Sequence, residues 1–452
     1  MNVYTRNDEH LLVFPNQPQW MVVDSFARDV AEQLFSQKKN VQEIIEARSL
    51  KEREDTQTVC EEIIALTNGS KDKTSTSRPL TSHATVAMVS LTRNCNLSCP
   101  HCYVDAKGAR EVELSTKEHE SLAIEVKETL ATNNHTKYQV NLTGGEPFMH
   151  PGVTDIISAY HKAGFRISMS TNALLIHERH LGLLRKTRTA LSISLDGATT
   201  DTHETIRGRG TFLPTIRKIK WLVENDIKVG INFLVHSGNI HELGDTISLT
   251  HSIGCASFNP INLVHLGRAC QSQLQRASEK DIFKIIAEHL VQNPDQQSLF
   301  RKTSLFSSLG AALLGGIIFA SCGVGDRPCV YITSEGNVFP CTNTQHNSFF
   351  LGNIRQQNLA ECVNINKPVY AKLQQLNVDS LNCTCSQCDI RYFCGGDCRG
   401  ETYNVKGDLH APYVHCSDRH DSIIELMWIT AKHPELFEER SAEYIMNADR
   451  QP

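Results

Sequence analysis

The chain has 452 residues, long for one domain, with 40% hydrophobic and 21% charged residues, the make-up of an ordinary globular protein with a sizeable core. A formal net charge of −5 carries no global footprint of a nucleic-acid or acidic-membrane binder, so neither is expected as a partner. Sixteen cysteines, with charge and no apolar secretory core in Met1–Glu9, point to metal ligation in a reducing, cytoplasmic compartment rather than to disulfides.

In chain order, residues 8–67 read as a small independent unit. Leu11–Phe14 and Trp20–Val23 predict two short strands joined by a Pro15–Pro18 turn. Asp24 or Ser25 is placed to cap a helix carrying Phe26, Val30, Ala31 and Leu34. Further helices are expected over Val41–Ala47 and Asp55–Thr67. Ser70–Ser82, rich in Ser, Thr and Lys, reads as a linker.

From Thr85 to about Val264 strand and helix alternate. Six strands are expected, at Thr85–Leu91, Lys137–Leu142, Arg166–Ser170, Ala190–Leu195, Lys228–Val235 and Ala256–Val264. Amphipathic stretches such as Lys117–Leu130, Val153–Lys162 and Thr215–Glu224 lie between them. Repeated β–α units imply a parallel sheet curled toward an incomplete barrel, with chemistry at the carboxyl ends of its strands. The apolar run Leu305–Cys322 falls short of a comfortable membrane span and holds Gly310, Gly315 and Gly316. It reads as a buried segment.

The motifs fall at those strand ends. Cys95, Cys99 and Cys102 follow the first strand at C-x3-C-x2-C spacing. Three thiolates in a short loop can hold three irons of a cubane cluster and leave the fourth open to a small molecule. Zinc is the competing reading, although it usually takes a fourth protein ligand, and only His101 is near in sequence. Gly144-Gly145-Glu146-Pro147 follows the second strand, where glycines let backbone approach a ligand closely. Ser170-Thr171-Asn172 closes the third strand and Asp196-Gly197 follows the fourth. Arg207, beside Gly208 and Gly210, is positioned to meet a carboxylate or to stand in solvent.

Cys95, Cys99, Cys102 and Tyr103, with Gly144–Pro147 and Ser192–Gly197, resemble the radical S-adenosylmethionine (SAM) superfamily over roughly residues 85–265. The resemblance implies a SAM-binding [4Fe-4S] cluster on the three cysteines. The backbone of Gly144, Gly145, Glu146 and Pro147 would help hold the amino group of SAM, whose cleavage yields a 5'-deoxyadenosyl radical. By the same resemblance Tyr103 lies near the adenine. Ser170, Asn172, Ser194 and Asp196 lie near the ribose, the methionine moiety or the substrate.

Beyond residue 320, Cys322, Cys329 and Cys341 precede Cys385-x2-Cys388-x5-Cys394-x3-Cys398, and Cys416 stands downstream. With Gly336 five residues before Cys341, this resembles the SPASM domain, which holds two auxiliary [4Fe-4S] clusters. Carried over by position, Cys322, Cys329, Cys341 and Cys398 hold one cluster; Cys385, Cys388, Cys394 and Cys416 hold the other. Cys329 stands at a position that varies in the family. Cys383 neighbours this set, and Cys60, Cys255, Cys270 and Cys362 read as small buried residues.

The N-terminal unit resembles the winged-helix peptide-binding domain of pyrroloquinoline quinone biosynthesis, through Trp20–Asp24, the helix after it and Asn40–Ile44. The expected fold class is therefore α/β: a partial (β/α)6 barrel with an N-terminal winged-helix-like domain and a C-terminal iron–sulfur SPASM domain. Its expected partition is 1–70 leader recognition, 71–84 linker, 85–300 barrel and 301–452 SPASM. Together these resemblances imply a peptide maturase, abstracting hydrogen from a ribosomally made precursor peptide and installing a thioether or carbon–carbon crosslink. It would take three [4Fe-4S] clusters, SAM, and an electron donor such as flavodoxin or ferredoxin. Formylglycine formation on sulfatases is an alternative, disfavoured because Thr342 replaces the Asp expected after Cys341. Tetrapyrrole or cofactor modification is another, and an iron–sulfur electron-transfer or peptide-carrier module is the non-enzymatic one. The sequence designates no catalytic acid or base.

Overall fold

The computed structural model describes residues 1–68, 84–106, 112–131, 137–300, 304–324 and 330–439. The linker reading at Ser70–Ser82 and the thiol of Cys329 lie outside the described residues.

The N-terminal sheet has three antiparallel strands, β1 (Asn2–Arg6), β2 (Glu9–Phe14) and β3 (Gln19–Val23), in the order β1-β2-β3. The sequence reading placed two; β1 escapes it because its polar residues are mostly exposed and form no apolar run. Helices Ser25–Phe35, Val41–Glu46 and Arg53–Asn68 follow. Asp24 caps the first, its side chain accepting from the Ala27 amide at 2.8 Å. Asn40 and Glu43 cap the second reciprocally.

Strand alternation sends the side chains of β2 to two different cores. Leu12 and Phe14 pack with Val30, Ala31, Ile44, Cys60 and Ile63. Leu11 and Val13 join the core of the main body. The unit is thus bolted on through its second face. Asn2 and Tyr4 of β1 both donate to Asp389. Arg6 forms a two-pronged pair with Glu425 and stacks over Trp428.

Six parallel strands follow in sequential order: β4 (Ala84–Ser90), β5 (Lys137–Thr143), β6 (Arg166–Thr171), β7 (Ala190–Ser194), β8 (Val229–Val235) and β9 (Ser257–Asn262). All six stand where the apolar runs predicted them. Helices Thr116–Ala131, Val153–Lys162, Glu178–Thr187, Phe212–Glu224 and Leu243–Ile253 lie between successive strands. Short strands β10 (Val330–Ile332), β11 (Asn337–Phe339) and β12 (Gly352–Asn353) extend the sheet beyond β4 to nine strands, β10 running parallel to β4.

The run from Leu305 forms a helix only to Leu314 and is largely buried. Among the described residues, no helix is long and apolar enough to cross a membrane. The closing helix Cys416–Lys432 buries ten of its residues, packing on the helices Glu279–Gln292 and Leu305–Leu314.

Candidate active site and iron–sulfur centres

The three-cysteine loop leaves the carboxyl end of β4. Backbone amides already point at its sulfurs: Leu97 N lies 3.4 Å from Cys95 Sγ, and Ala106 N lies 3.4 Å from Cys102 Sγ. Burial pushes the Cys95 thiol up to about 11, with Glu146, Cys99 and Cys102 near enough to add to it. Cys99 is likewise raised by burial, against the pull of Arg207. The three thiols therefore share one neighbourhood, and loading a metal cluster there must displace protons.

The loop is clamped from two sides. Gly145 N donates to Thr92 O at 2.7 Å, and Glu146 N donates to Asn94 O at 2.8 Å. A side chain at Gly144 would meet Thr92 O at 2.4 Å, and one at Gly145 would meet Asn94 O at 2.3 Å. Gly144 also has φ +147°. The glycines after β5 thus press backbone against the thiol loop, the close approach their position predicts.

Glu146 itself points inward. Its carboxylate accepts from Thr171 Oγ1 at 2.7 Å and from Asn172 N at 2.8 Å. Burial raises its carboxyl above the ordinary range, against the effect of those donors. Its side chain braces the end of β6, leaving backbone as the part of Gly144–Pro147 available to a ligand. Asn172 Nδ2 reaches Asn96 Oδ1 at 2.8 Å, tying β6 to the loop. Ser170 is held against Asn141 at 3.4 Å. Ser194 ends β7 half-buried.

Asp196 is fully buried after β7. Arg207 Nε donates to its Oδ2 at 2.5 Å, and Leu234 N to its Oδ1 at 2.8 Å. Burial alone would raise this carboxyl; Arg207, with His101 close by, outweighs it and holds the group below its usual range. The second arm of Arg207 lies 3.7 Å from Cys99 Sγ. Arg207 does meet a carboxylate, and it meets a cluster thiol as well. His101 is driven down to about 3 by burial and by Arg207, so it stays neutral.

Two residues that the sequence reading missed hold the loop from the far side. Arg268 N donates to Cys102 O at 3.0 Å, its Nε to Cys99 O at 3.0 Å and its Nη1 to Ala106 O at 2.9 Å. Gly267, at φ +56°, lets this happen; a Cβ there would stand 2.5 Å from the Cys102 and Tyr103 carbonyls. The signal available was a glycine–arginine pair after the sixth barrel strand.

Tyr103 connects this site to the C-terminal thiols. Burial pushes its phenol up to about 12, the neighbouring Thr143 opposes this, and Cys102 and Cys341 raise it further. Cys341 also raises Cys322 and Cys398, both lifted first by burial. Asn343 Nδ2 approaches Cys398 Sγ at 3.3 Å, and Glu401 N does so at 3.4 Å. Cys322, Cys341 and Cys398 therefore form one group. Thr342 Oγ1 stands 3.9 Å from Cys341 Sγ. Cys385, Cys388, Cys394 and Cys416 all line a second cavity, with Arg391, Tyr413 and Arg419 around them. The interleaved set predicted from spacing is brought together there.

Both donor sets suit iron–sulfur clusters: sulfur-only ligands, half-buried, with amide donors aimed at the sulfurs. Cys60, Cys255 and Cys362 are buried apart from these groups, as their lack of a partner pattern predicts. Cys270 is exposed instead.

Comparisons with known proteins agree with this geometry. The Radical SAM superfamily model matches residues 89–250, and the iron–sulfur cluster-binding SPASM model matches residues 322–389. An AdoMet-dependent heme synthase of Methanosarcina barkeri is 28% identical over 72% of this chain and 94% of its own length. The antilisterial bacteriocin subtilosin biosynthesis protein AlbA of Bacillus subtilis is 27% identical over 70% of this chain and 67% of its own. Streptococcus suis SuiB bound to the precursor peptide SuiA shares the fold, with TM-score 0.60 at 14% identity, over 92% of this chain and all of that one. Such domains bind [4Fe-4S] cluster chemistry and SAM, and the chain is a radical SAM enzyme with a SPASM domain.

Proposed function

We propose that the chain is a peptide maturase acting on a ribosomally made precursor. The observation that carries this reading is the N-terminal unit. Its outer strand β3 has no strand partner on its far side among the described residues, and an extended leader peptide can pair there as a fourth strand. The fold likeness to SuiB spans 92% of this chain, and SuiB was solved with a precursor peptide. Residues 1–70 serve as leader-recognition domain, 85–300 as barrel and 301–452 as SPASM domain.

In this reading Cys95, Cys99 and Cys102 hold the SAM-binding cluster. Cys322, Cys341 and Cys398 hold one auxiliary cluster, with Cys329 as its fourth ligand. Cys385, Cys388, Cys394 and Cys416 hold the other. The Gly144–Pro147 backbone, Tyr103, Ser170, Asn172, Ser194 and Asp196 bound the SAM pocket. With cluster and SAM bound, the site supplies a 5'-deoxyadenosyl radical that removes hydrogen from an unactivated carbon. Arg207 keeps Asp196 ionised and lends a donor to the Cys99 sulfur. Arg268 and the Gly144-Gly145 turn hold the thiol loop against β4 and β5. The auxiliary thiol sets would hold clusters able to accept the one electron left over when a crosslink closes. A flavodoxin or ferredoxin supplies the initial reduction. Tethering the leader raises the concentration of the core segment at the barrel mouth.

A second reading, tetrapyrrole modification, is favoured by the 28% identity to the heme synthase. One experiment separates them. The anaerobic, cluster-loaded protein is given dithionite and SAM with either a candidate ribosomal precursor peptide, leader included, or an iron–tetrapyrrole, and each substrate is weighed by mass spectrometry. A mass loss of hydrogens in the peptide supports maturation. An altered tetrapyrrole with an unchanged peptide overturns it.

A further inference from the structure

Among the described residues, one cluster of ligand-type side chains that includes no cluster cysteine sits inside the molecule. His265 follows β9 at the barrel's last strand end. Glu401 lies on the helix Arg399–Lys406, whose N-cap is Cys398. His415 immediately precedes Cys416 and the closing helix. One ligand atom from each of the three falls within 4.8 Å of the others.

The polar atoms that converge here are incompletely satisfied. Glu401 is 1% exposed, and its Oε2 accepts the Tyr413 hydroxyl at 2.9 Å. Its Oε1 and the His415 Nε2 are both buried without a hydrogen-bond partner among the described residues. They face each other 3.5 Å apart, a long ion-pair contact. The His265 and His415 rings lie with centroids 5.7 Å apart and planes tilted by 36°. A buried carboxylate oxygen and a buried imidazole nitrogen that meet only each other, and at long range, are poorly satisfied unless something binds between them.

We propose that His265, Glu401 and His415 form a mononuclear site for a divalent transition-metal ion of the zinc or iron(II) class. Two imidazoles and a carboxylate suit such ions, whereas magnesium and calcium prefer oxygen donors. Ligand atoms around one zinc ion stand roughly 3.3 Å apart, from bond lengths of about 2.0–2.1 Å. The Glu401–His415 pair is already near that spacing, and a ring nitrogen of His265 lies within 4.8 Å of both. Tyr413 fixes the carboxylate from behind, the outer hydrogen bond that metal ligands commonly receive. Three protein ligands leave a coordination position for water or substrate, between the barrel's last strand and both auxiliary thiol groups.

The test uses the full-length protein with its clusters loaded, incubated anaerobically with zinc sulfate and desalted. Bound zinc and iron are counted, and the zinc K-edge absorption fine structure is recorded. One zinc per chain is expected, surrounded by nitrogen and oxygen scatterers with the imidazole signature. Glu401→Gln keeps the Tyr413 contact, and His265→Ala is remote in sequence from any cluster cysteine. Each should weaken zinc binding at least tenfold, with iron content at the wild-type level. Zinc surrounded by sulfur, no retained zinc, or undiminished binding in both variants overturns the proposal. Should either variant lose iron, the imidazole or sulfur signature of the wild-type zinc decides.

Discussion

Arg207 joins Asp196 to Cys99: one guanidinium nitrogen donates to the buried carboxylate at 2.5 Å, and another lies 3.7 Å from the sulfur. A single side chain thus neutralises the acid after the fourth barrel strand and supplies positive charge to a cluster ligand. Replacing Arg207 with Ala strands Asp196 as an unpaired buried charge. A loss of about 3–5 kcal/mol in stability is expected from breaking such a pair, read as a lowered Tm. Arg207→Lys keeps the charge but loses the fork. Its N-proximal cluster should be harder to reduce, seen as a more negative midpoint in an electron-paramagnetic-resonance titration.

Glu146 accepts from both the Thr171 hydroxyl and the Asn172 amide. Glu146→Gln keeps an oxygen for the Asn172 amide, but its NH2 would face the Phe148 amide, which donates to the same Oε1 as the hydroxyl at 3.2 Å, so the change should cost about 1 kcal/mol. Glu146→Ala leaves the Asn172 amide without an acceptor and should cost about 1–3 kcal/mol. It should also weaken SAM binding, measured by equilibrium dialysis, because β6 loses its brace.

Gly267→Ala puts a methyl group against the Cys102 and Tyr103 carbonyls at a left-handed position. The expected outcome is loss of about four irons per chain from the N-proximal site, with the auxiliary irons retained. Iron analysis alongside the Cys99→Ala variant checks it.

Cys416→Ala should remove about four irons as well, since its thiol shares a cavity with Cys385, Cys388 and Cys394. Cys255→Ala should remove none. Burial pushes the Cys255 thiol up to about 12, and it packs as a small apolar residue.

Arg355 holds Glu118 at 2.5 Å and also donates to the Val112 and Glu113 carbonyls, fixing the residues after β12 to the first barrel helix. The Arg355 hydrogen bond leads the causes that lower the Glu118 carboxyl to about 2. A depressed carboxyl stabilises the fold above its unfolded value of about 4.3, and that stability drains away as pH falls toward 2. Because both groups are about one-third exposed, Glu118→Gln should cost under about 1 kcal/mol. It should flatten acid unfolding between those two values.

The six parallel strands were legible from their apolar patterning between polar turns, alternating in Lys137–Thr143 and nearly continuous in Val229–Val235. Strands β10 to β12 were not, being two or three residues long and defined by partners elsewhere. In the site, thiol spacing announced the clusters because ligation needs local sequence. The Arg268 clasp on Cys99 spans 169 positions, and no local pattern marks such a contact. Glu146 was found by its motif, but which way its carboxylate turns depends on Thr171 and Asn172 across the sheet.

Strand β10 completes the hydrogen-bonding of β4 from 243 positions downstream, Ile332 standing beside Val89. During synthesis the strand that carries the first thiol loop therefore keeps a naked flank until most of the polypeptide has emerged. An unprotected edge of this kind invites pairing with other nascent chains.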